Sequence, residues 1–102
     1  MPAIRHLVFF RLKHAAGSPA ERAFLAAAQA LEALPGVEKF ELLHQVGRKN
    51  AFTLGLAMEF ADADAYARYN AHPEHVRFVQ ERWLPEVAEF LEIDTTPYGT
   101  GR

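Results

Sequence analysis

Three side chains able to pass protons or donate hydrogen bonds, Tyr69, His72 and His75, crowd around Pro73 in the run Tyr69-Asn70-Ala71-His72-Pro73-Glu74-His75. Imidazole exchanges protons close to neutral pH, and a phenol sheltered from water donates well to developing negative charge, so the group contains the parts of an acid–base site. Pro73 lacks an N–H and clashes with the preceding turn, so a helix reaching Ala71-His72 must break there and restart. Such a corner turns inward side chains that a straight helix would send to solvent. Structural roles compete at every position. Tyr69 also suits a helix edge with its hydroxyl in water or on backbone, and His72 suits an N-cap ahead of Pro73. His75 falls where a side chain bonds back toward a cap. His6, on an otherwise apolar strand face, suits a core histidine that has found a partner.

His72, His75, Glu74 and His6 include metal-donor types, but their spacing departs from His-Glu-x-x-His and Pro73 distorts the turn, so no metal is expected. His14 and His44 read as surface loop and strand-end residues. No phosphate loop, nucleophile elbow or flavin fingerprint is present, and no cofactor is expected.

The elements that must hold these groups fit one domain of 102 residues. Half of the residues are hydrophobic and the net charge is −2, with Arg48-Lys49 the one adjacent basic pair, which leaves no electrostatic footprint for nucleic acid and no polybasic membrane patch. There is no cysteine, so disulfides and thiolate chemistry are excluded. No apolar run approaches membrane-spanning length and no signal segment is apparent, so a cytoplasmic protein is expected. The domain is expected over residues 1–96, with a loose tail over 97–102.

Ile4 to Leu12 reads as a strand apolar on both faces, which calls for cover on both. Ser18-Pro19-Ala20-Glu21 predicts a helix start, with Ser18 as N-cap and Glu21 completing a capping box, and the helix runs to about Leu34. Pro35-Gly36 ends it. Residues 37–46 and 51–60 predict a hairpin across Gly47-Arg48-Lys49-Asn50. Asp62 caps a helix over about Ala63 to Asn70. After the corner a second helix reaches about Trp83, with Val76, Val79 and Trp83 on one stripe and Pro85 disturbing its last turn. Phe90 to Asp94 reads as a short final strand. The order β-α-β-β-α-β is that of a ferredoxin-like α+β fold with a four-stranded antiparallel sheet.

Two helical regions cover one face of such a sheet. The even-numbered face, with His6, Val8, Phe10, Phe40, Leu42, Leu54, Leu56 and Met58, is the more apolar and is assigned to the helices. The odd face keeps Leu7, Phe9, Leu43, Gly55 and Ala57, more apolar surface than a soluble monomer usually leaves open. A homodimer packed sheet to sheet is therefore expected.

Ile4-Arg5-His6-Leu7-Val8-Phe9-Phe10, Pro35-Gly36-Val37, Lys49-Asn50, His72-Pro73-x-His75 and Ile93-Asp94, taken in order, resemble the stress-responsive A/B barrel (Dabb) domain family over residues 3–95. The resemblance implies a dimeric α+β barrel. More distantly the chain resembles the plant olivetolic acid cyclase of that family, which closes a linear polyketide thioester by an intramolecular aldol condensation. That likeness implies working roles for Tyr69 and His75, with His6 and His72 matching further histidines. Leu54 stands where the cyclase has histidine, and Ala23 and Ala27 stand where it has aromatic walls, which points to a different substrate.

An aldol-type step needs a base to take a proton beside a carbonyl and a donor to polarise the accepting carbonyl. His75 is assigned the first role and Tyr69 the second. The expected pocket lies between sheet and helices, with His6, Val8, Phe10, Phe24, Ala27, Phe40, Leu54, Leu56, His72 and Phe78 against a small apolar carbonyl ligand. Three functions follow from the sequence: a cofactor-free cyclase-like enzyme, a stress-response module binding a small apolar ligand, and a purely structural or accessory dimer. Ala23, Ala27, Ala28 and Gly55 would leave a cavity, whereas Phe10, Phe24, Phe40, Met58, Phe78 and Trp83 would fill one.

Overall fold

The computed structural model describes residues 2–99; the end of the expected tail, residues 100–102, lies outside the described residues. Strands β1 (Ile4–Leu12), β2 (Glu38–His44), β3 (Leu54–Phe60) and β4 (Val87–Thr95) form one antiparallel sheet in the order β2-β3-β1-β4. Helices α1 (Pro19–Gln29), α2 (Ala63–Ala71) and α3 (Pro73–Phe78) complete the ferredoxin-like α+β architecture. No helix among the described residues is long and apolar enough to cross a membrane.

Helix α1 starts as its sequence dictates. The Ser18 hydroxyl accepts the Glu21 N–H at 3.2 Å, and the Glu21 carboxylate accepts from the Gly17 N–H at 2.9 Å, one residue ahead of the usual capping box. The α-helix ends sooner than the expected Leu34: after Gln29 the chain tightens into a 3₁₀ turn, Ala30–Ala33, ahead of Pro35-Gly36. Gly36 adopts φ 86°, a left-handed conformation suited to glycine.

The hairpin strands are shorter than expected because one side chain organises their connection. Gln45 Nε2 donates to the carbonyls of Gly47 at 3.1 Å and Phe52 at 2.7 Å and to Asn50 Oδ1 at 2.9 Å, so residues 45–53 fold around it rather than extending the ladder. The last strand is longer than the expected Phe90–Asp94, running from Val87 to Thr95 along β1.

The larger departure lies before β4. Pro85 has no N–H to offer the helix, and the segment Val79–Trp83 widens into a π turn in which the Leu84 N–H reaches the Val79 carbonyl. In an α-helix five residues carry a side chain about 140° round the axis. The wider turn instead puts Phe78 and Trp83 together, ring centroids 6.4 Å apart, while Val76 is exposed rather than part of the buried stripe.

The even face of β1 and β3 meets the helices. Phe10, Phe24 and Phe60 are fully buried; Val8, Leu12, Leu31, Leu54 and Leu56 pack with Phe10 and Phe24, and Met58, Ala65 and Tyr69 with Phe60. On the opposite face Phe9 lies across Gly55, where an added Cβ would stand 2.9 Å from its ring. Leu7, Phe9 and Leu43 are only half covered, and Leu91 and Ile93, which pair with Phe9 and Leu7, are exposed.

Candidate functional site

A cavity of about 230 Å³ opens between the sheet and the α2–α3 corner. Val8 (β1), Leu56 and Met58 (β3) form its floor, and Leu31, Phe78, Val79 and Trp83 close its apolar sides. His6, Tyr69, Asn70 and His75 supply polar groups, and Leu84, Phe90 and Glu92, all exposed, form the rim.

The corner forms as its proline requires. The Asp62 carboxylate caps α2 by accepting the Ala65 N–H at 2.8 Å. Past Ala71 the chain extends at His72, with φ −62° and ψ 133°, and Pro73 opens α3. His72 is consumed by this geometry: its Nδ1 accepts the Glu74 N–H at 3.1 Å, and its side chain borders a separate cleft with Pro35, Gly36, Ala65 and Arg68. The expected ligand contact by His72 is thus replaced by a helix cap outside the cavity.

His75 enters the cavity. Its Nδ1 donates to the Asn70 carbonyl at 3.1 Å; a carbonyl only accepts, so in the neutral ring the lone pair is on Nε2. Burial lowers its pKa from the ordinary 6.5, opposed by the hydrogen bond to Asn70. The ring packs on Tyr69, centroids 4.4 Å apart. Tyr69 is 3% exposed and rests on Phe60 at 5.0 Å. Burial, with a smaller contribution from the charge of Glu92, raises the Tyr69 phenol well above its ordinary 10.0, so it stays protonated as a donor. A neutral imidazole and a protonated phenol therefore share one apolar recess.

His6 brings in partners from the far edge of the sheet. Register places His6 opposite Asp94 and Val8 opposite Glu92. His6 Nδ1 lies 2.7 Å from Asp94 Oδ1, and the Tyr66 hydroxyl donates to Asp94 Oδ2 at 2.9 Å while standing 3.0 Å from His6 Nδ1. Burial, then the hydrogen bond to Asp94, raises the Tyr66 phenol above its ordinary value. His6 is thus a buried histidine with a fixed orientation, its Nε2 3.7 Å from Glu92 Oε2.

Of the expected contact residues, His6, Val8, Leu56, Tyr69, His75 and Phe78 come together here. Phe10, Phe24 and Leu54 are spent in the packed core, with Ala27 and Phe40 partly buried against it. Tyr66, Asn70, Phe90, Glu92 and the carboxylate of Asp94 join the site without being among the residues the sequence predicts for it. Tyr66 was detectable as the residue one turn before Tyr69. Phe90, Glu92 and Asp94 share one parity, but aligning them with β1 requires the register. His14 lies in the loop after β1, as expected, and is half-buried there with its Nε2 2.7 Å from Glu86 Oε1.

The sequence model of the Stress responsive A/B Barrel Domain (Dabb) matches residues 4–97. The chain belongs to the Dabb family. It is 32% identical over 93 residues to a stress-response A/B barrel domain-containing protein of Arabidopsis thaliana, covering 89% of this chain and about a third (35%) of that protein's length. The crystal structure of a Dabb family protein with a ferredoxin-like fold from Mesorhizobium loti superposes with TM-score 0.95 at 52% identity, covering 97% of this chain and 100% of that one. Hydroxynitrile lyase from Passiflora edulis shares the fold at TM-score 0.84 and 18% identity, over 99% of this chain and 98% of the other. A dimeric protein of unknown function from Bacteroides fragilis shares it at TM-score 0.71 and 21% identity, over 93% and 96%. The same fold thus occurs in a dimeric protein and in a lyase.

Proposed function

We propose that this Dabb protein is a cofactor-independent acid–base enzyme acting beside the carbonyl of a small, partly apolar compound, in the manner of a polyketide cyclase. The observation that carries the reading is the Tyr69–His75 pair: rings 4.4 Å apart, in an apolar recess, one kept neutral and the other kept protonated. His75 Nε2 takes the proton α to the carbonyl, the Tyr69 hydroxyl donates to the oxygen as it becomes an enolate, and the enolate carbon attacks a second carbonyl of the same molecule. The proton returns from His75 to the new alkoxide, so the ring closes without redox change. That a hydroxynitrile lyase uses this fold is compatible with cofactor-free lyase or aldol chemistry here.

The first half-reaction is testable without the natural substrate. In D₂O the protein is expected to speed deuterium entry at the benzylic carbon of phenylacetone, followed by NMR. Tyr69→Phe and His75→Ala should each lower the rate by about a hundredfold or more, the usual range for positioned acid–base groups. Equal rates in wild type and both variants would remove the catalytic reading. A second reading, a stress-response module holding an apolar ligand without chemistry, is favoured by the mostly aliphatic and aromatic wall of the cavity; saturable binding of the ketone with no exchange would select it.

The working unit is proposed to be a cytoplasmic homodimer joined through the outer sheet face. Leu7, Phe9, Leu43, Leu91 and Ile93 form an apolar centre there, and the ion pairs Arg5–Glu41, Arg5–Glu59 and Arg11–Glu89 flank it, the layout of an interface core with a polar rim. Light scattering at micromolar concentration is expected to give twice the chain mass, and Leu91→Lys to halve it; a monomeric wild type would end this proposal.

A further inference from the structure

We propose that Glu92 makes the cavity select neutral and cationic ligands over anionic ones, which identifies the substrate class as uncharged or positively charged carbonyl compounds of about one ring's size bearing an N–H or O–H donor. This rests on reading the cavity as a small-molecule site. Register opposite Val8 puts Glu92 on the helix-side face of β4, and its side chain forms part of the cavity wall. Among the described residues that line the cavity there is no lysine or arginine, and Glu92 is the one carboxylate.

Charge counting gives the same sign whatever the state of His6. Its imidazole lies between Asp94 Oδ1 at 2.7 Å and Glu92 Oε2 at 3.7 Å. With His6 neutral, two negative charges stand at this end of the cavity; with His6 protonated, one remains. Neutral His6, its Nδ1–H spent on Asp94, also presents a lone pair at Nε2 beside the Glu92 oxygen. Two acceptors side by side call for a donor from the ligand. An anionic group would meet repulsion there, strengthened by the apolar walls and offset by no lysine or arginine among the described lining residues. The Tyr69 hydroxyl remains for a carbonyl. The volume, about 230 Å³, is below that of a typical drug-sized pocket and suits one ring with a short substituent.

Benzamidine, benzamide and benzoate share one shape and carry three different charges. Trp83, the single tryptophan of the chain, lines the cavity and reports binding through its fluorescence. Titrations above pH 7 in low salt are expected to rank benzamidine and benzamide ahead of benzoate by about tenfold, a gap that closes as salt is raised. In Glu92→Gln the gap should shrink by about threefold or more; Glu92 is an exposed side chain, so folding should survive, as circular dichroism would verify. Benzoate binding as tightly as benzamide to the wild type, or an unchanged gap in Glu92→Gln, overturns this selectivity while leaving the pocket intact. No response of Trp83 to any of the three overturns both the selectivity and the small-molecule reading.

Discussion

The two ends of the helix-covered layer are built from the same sheet face and closed in opposite ways. At one end Phe10 and Phe24 interlock with Phe78 and Trp83, the wall this end shares with the cavity, with Phe10–Trp83 at 5.0 Å and Phe24–Phe78 at 5.6 Å between ring centroids. At the other end Tyr69, His75 and His6 face a cavity whose rim residues, Leu84, Phe90 and Glu92, remain exposed. Aromatic rings tilted against one another fill space and exclude water; polar side chains held by backbone and carboxylate partners do not interdigitate. Stability is therefore concentrated at the sealed end, and chemistry has room at the open one. The two corner histidines repeat the contrast on a smaller scale: His72 is tied up as a cap, and His75 presents a free ring nitrogen.

The strongest way to break this comparison is to open the sealed end. Phe24→Ala should cost about 3–5 kcal/mol in denaturant unfolding, the usual range for a buried aromatic truncated to alanine. A loss below about 1 kcal/mol would mean that the two ends are equally loose. A middle-sized effect separates the histidines. His72→Ala removes a helix cap and should cost about 0.5–2 kcal/mol while leaving benzamide affinity unchanged, because His72 lies outside the cavity. Weakened benzamide binding at unchanged stability would reverse the assignment.

The smallest effect sharpens the role of His75. Its folded pKa is below the ordinary 6.5, so in the window just under 6.5 the unfolded chain binds more protons than the folded one. Stability is then full above pH 6.5 and falls as pH drops from 6.5 toward the lowered folded value. The urea midpoint should show this decline in the wild type and a flatter profile in His75→Gln; superimposable profiles would mean that the ring is not desolvated. Deuterium exchange should likewise persist to lower pH than an ordinary histidine base would allow.

How much of this could be read from the residues differs by element. The Ser18 and Asp62 caps, the Pro73 break and the alternation of β1 and β3 are local, and each predicted its element. The inward turn of His75 followed from the broken helix and the family likeness. Pro85 signalled a disturbance, but not that a π turn would carry Trp83 to the side of Phe78. Gln45 marked nothing in sequence, yet its side chain sets where the hairpin strands stop.

By itself the sequence determined the order of elements, the face each strand turns to the helices and the residue types available at the corner, because these depend on neighbours a few positions apart. Tertiary structure alone decided that His6 meets Asp94, that Glu92 joins the cavity wall and that Phe24 fills the core instead of touching a ligand. The first two depend on the register of β4 against β1, which sets Asp94 beside His6 and Glu92 beside Val8, more than eighty positions apart, and the third on the packing of α1 onto the sheet, so none follows from a local pattern.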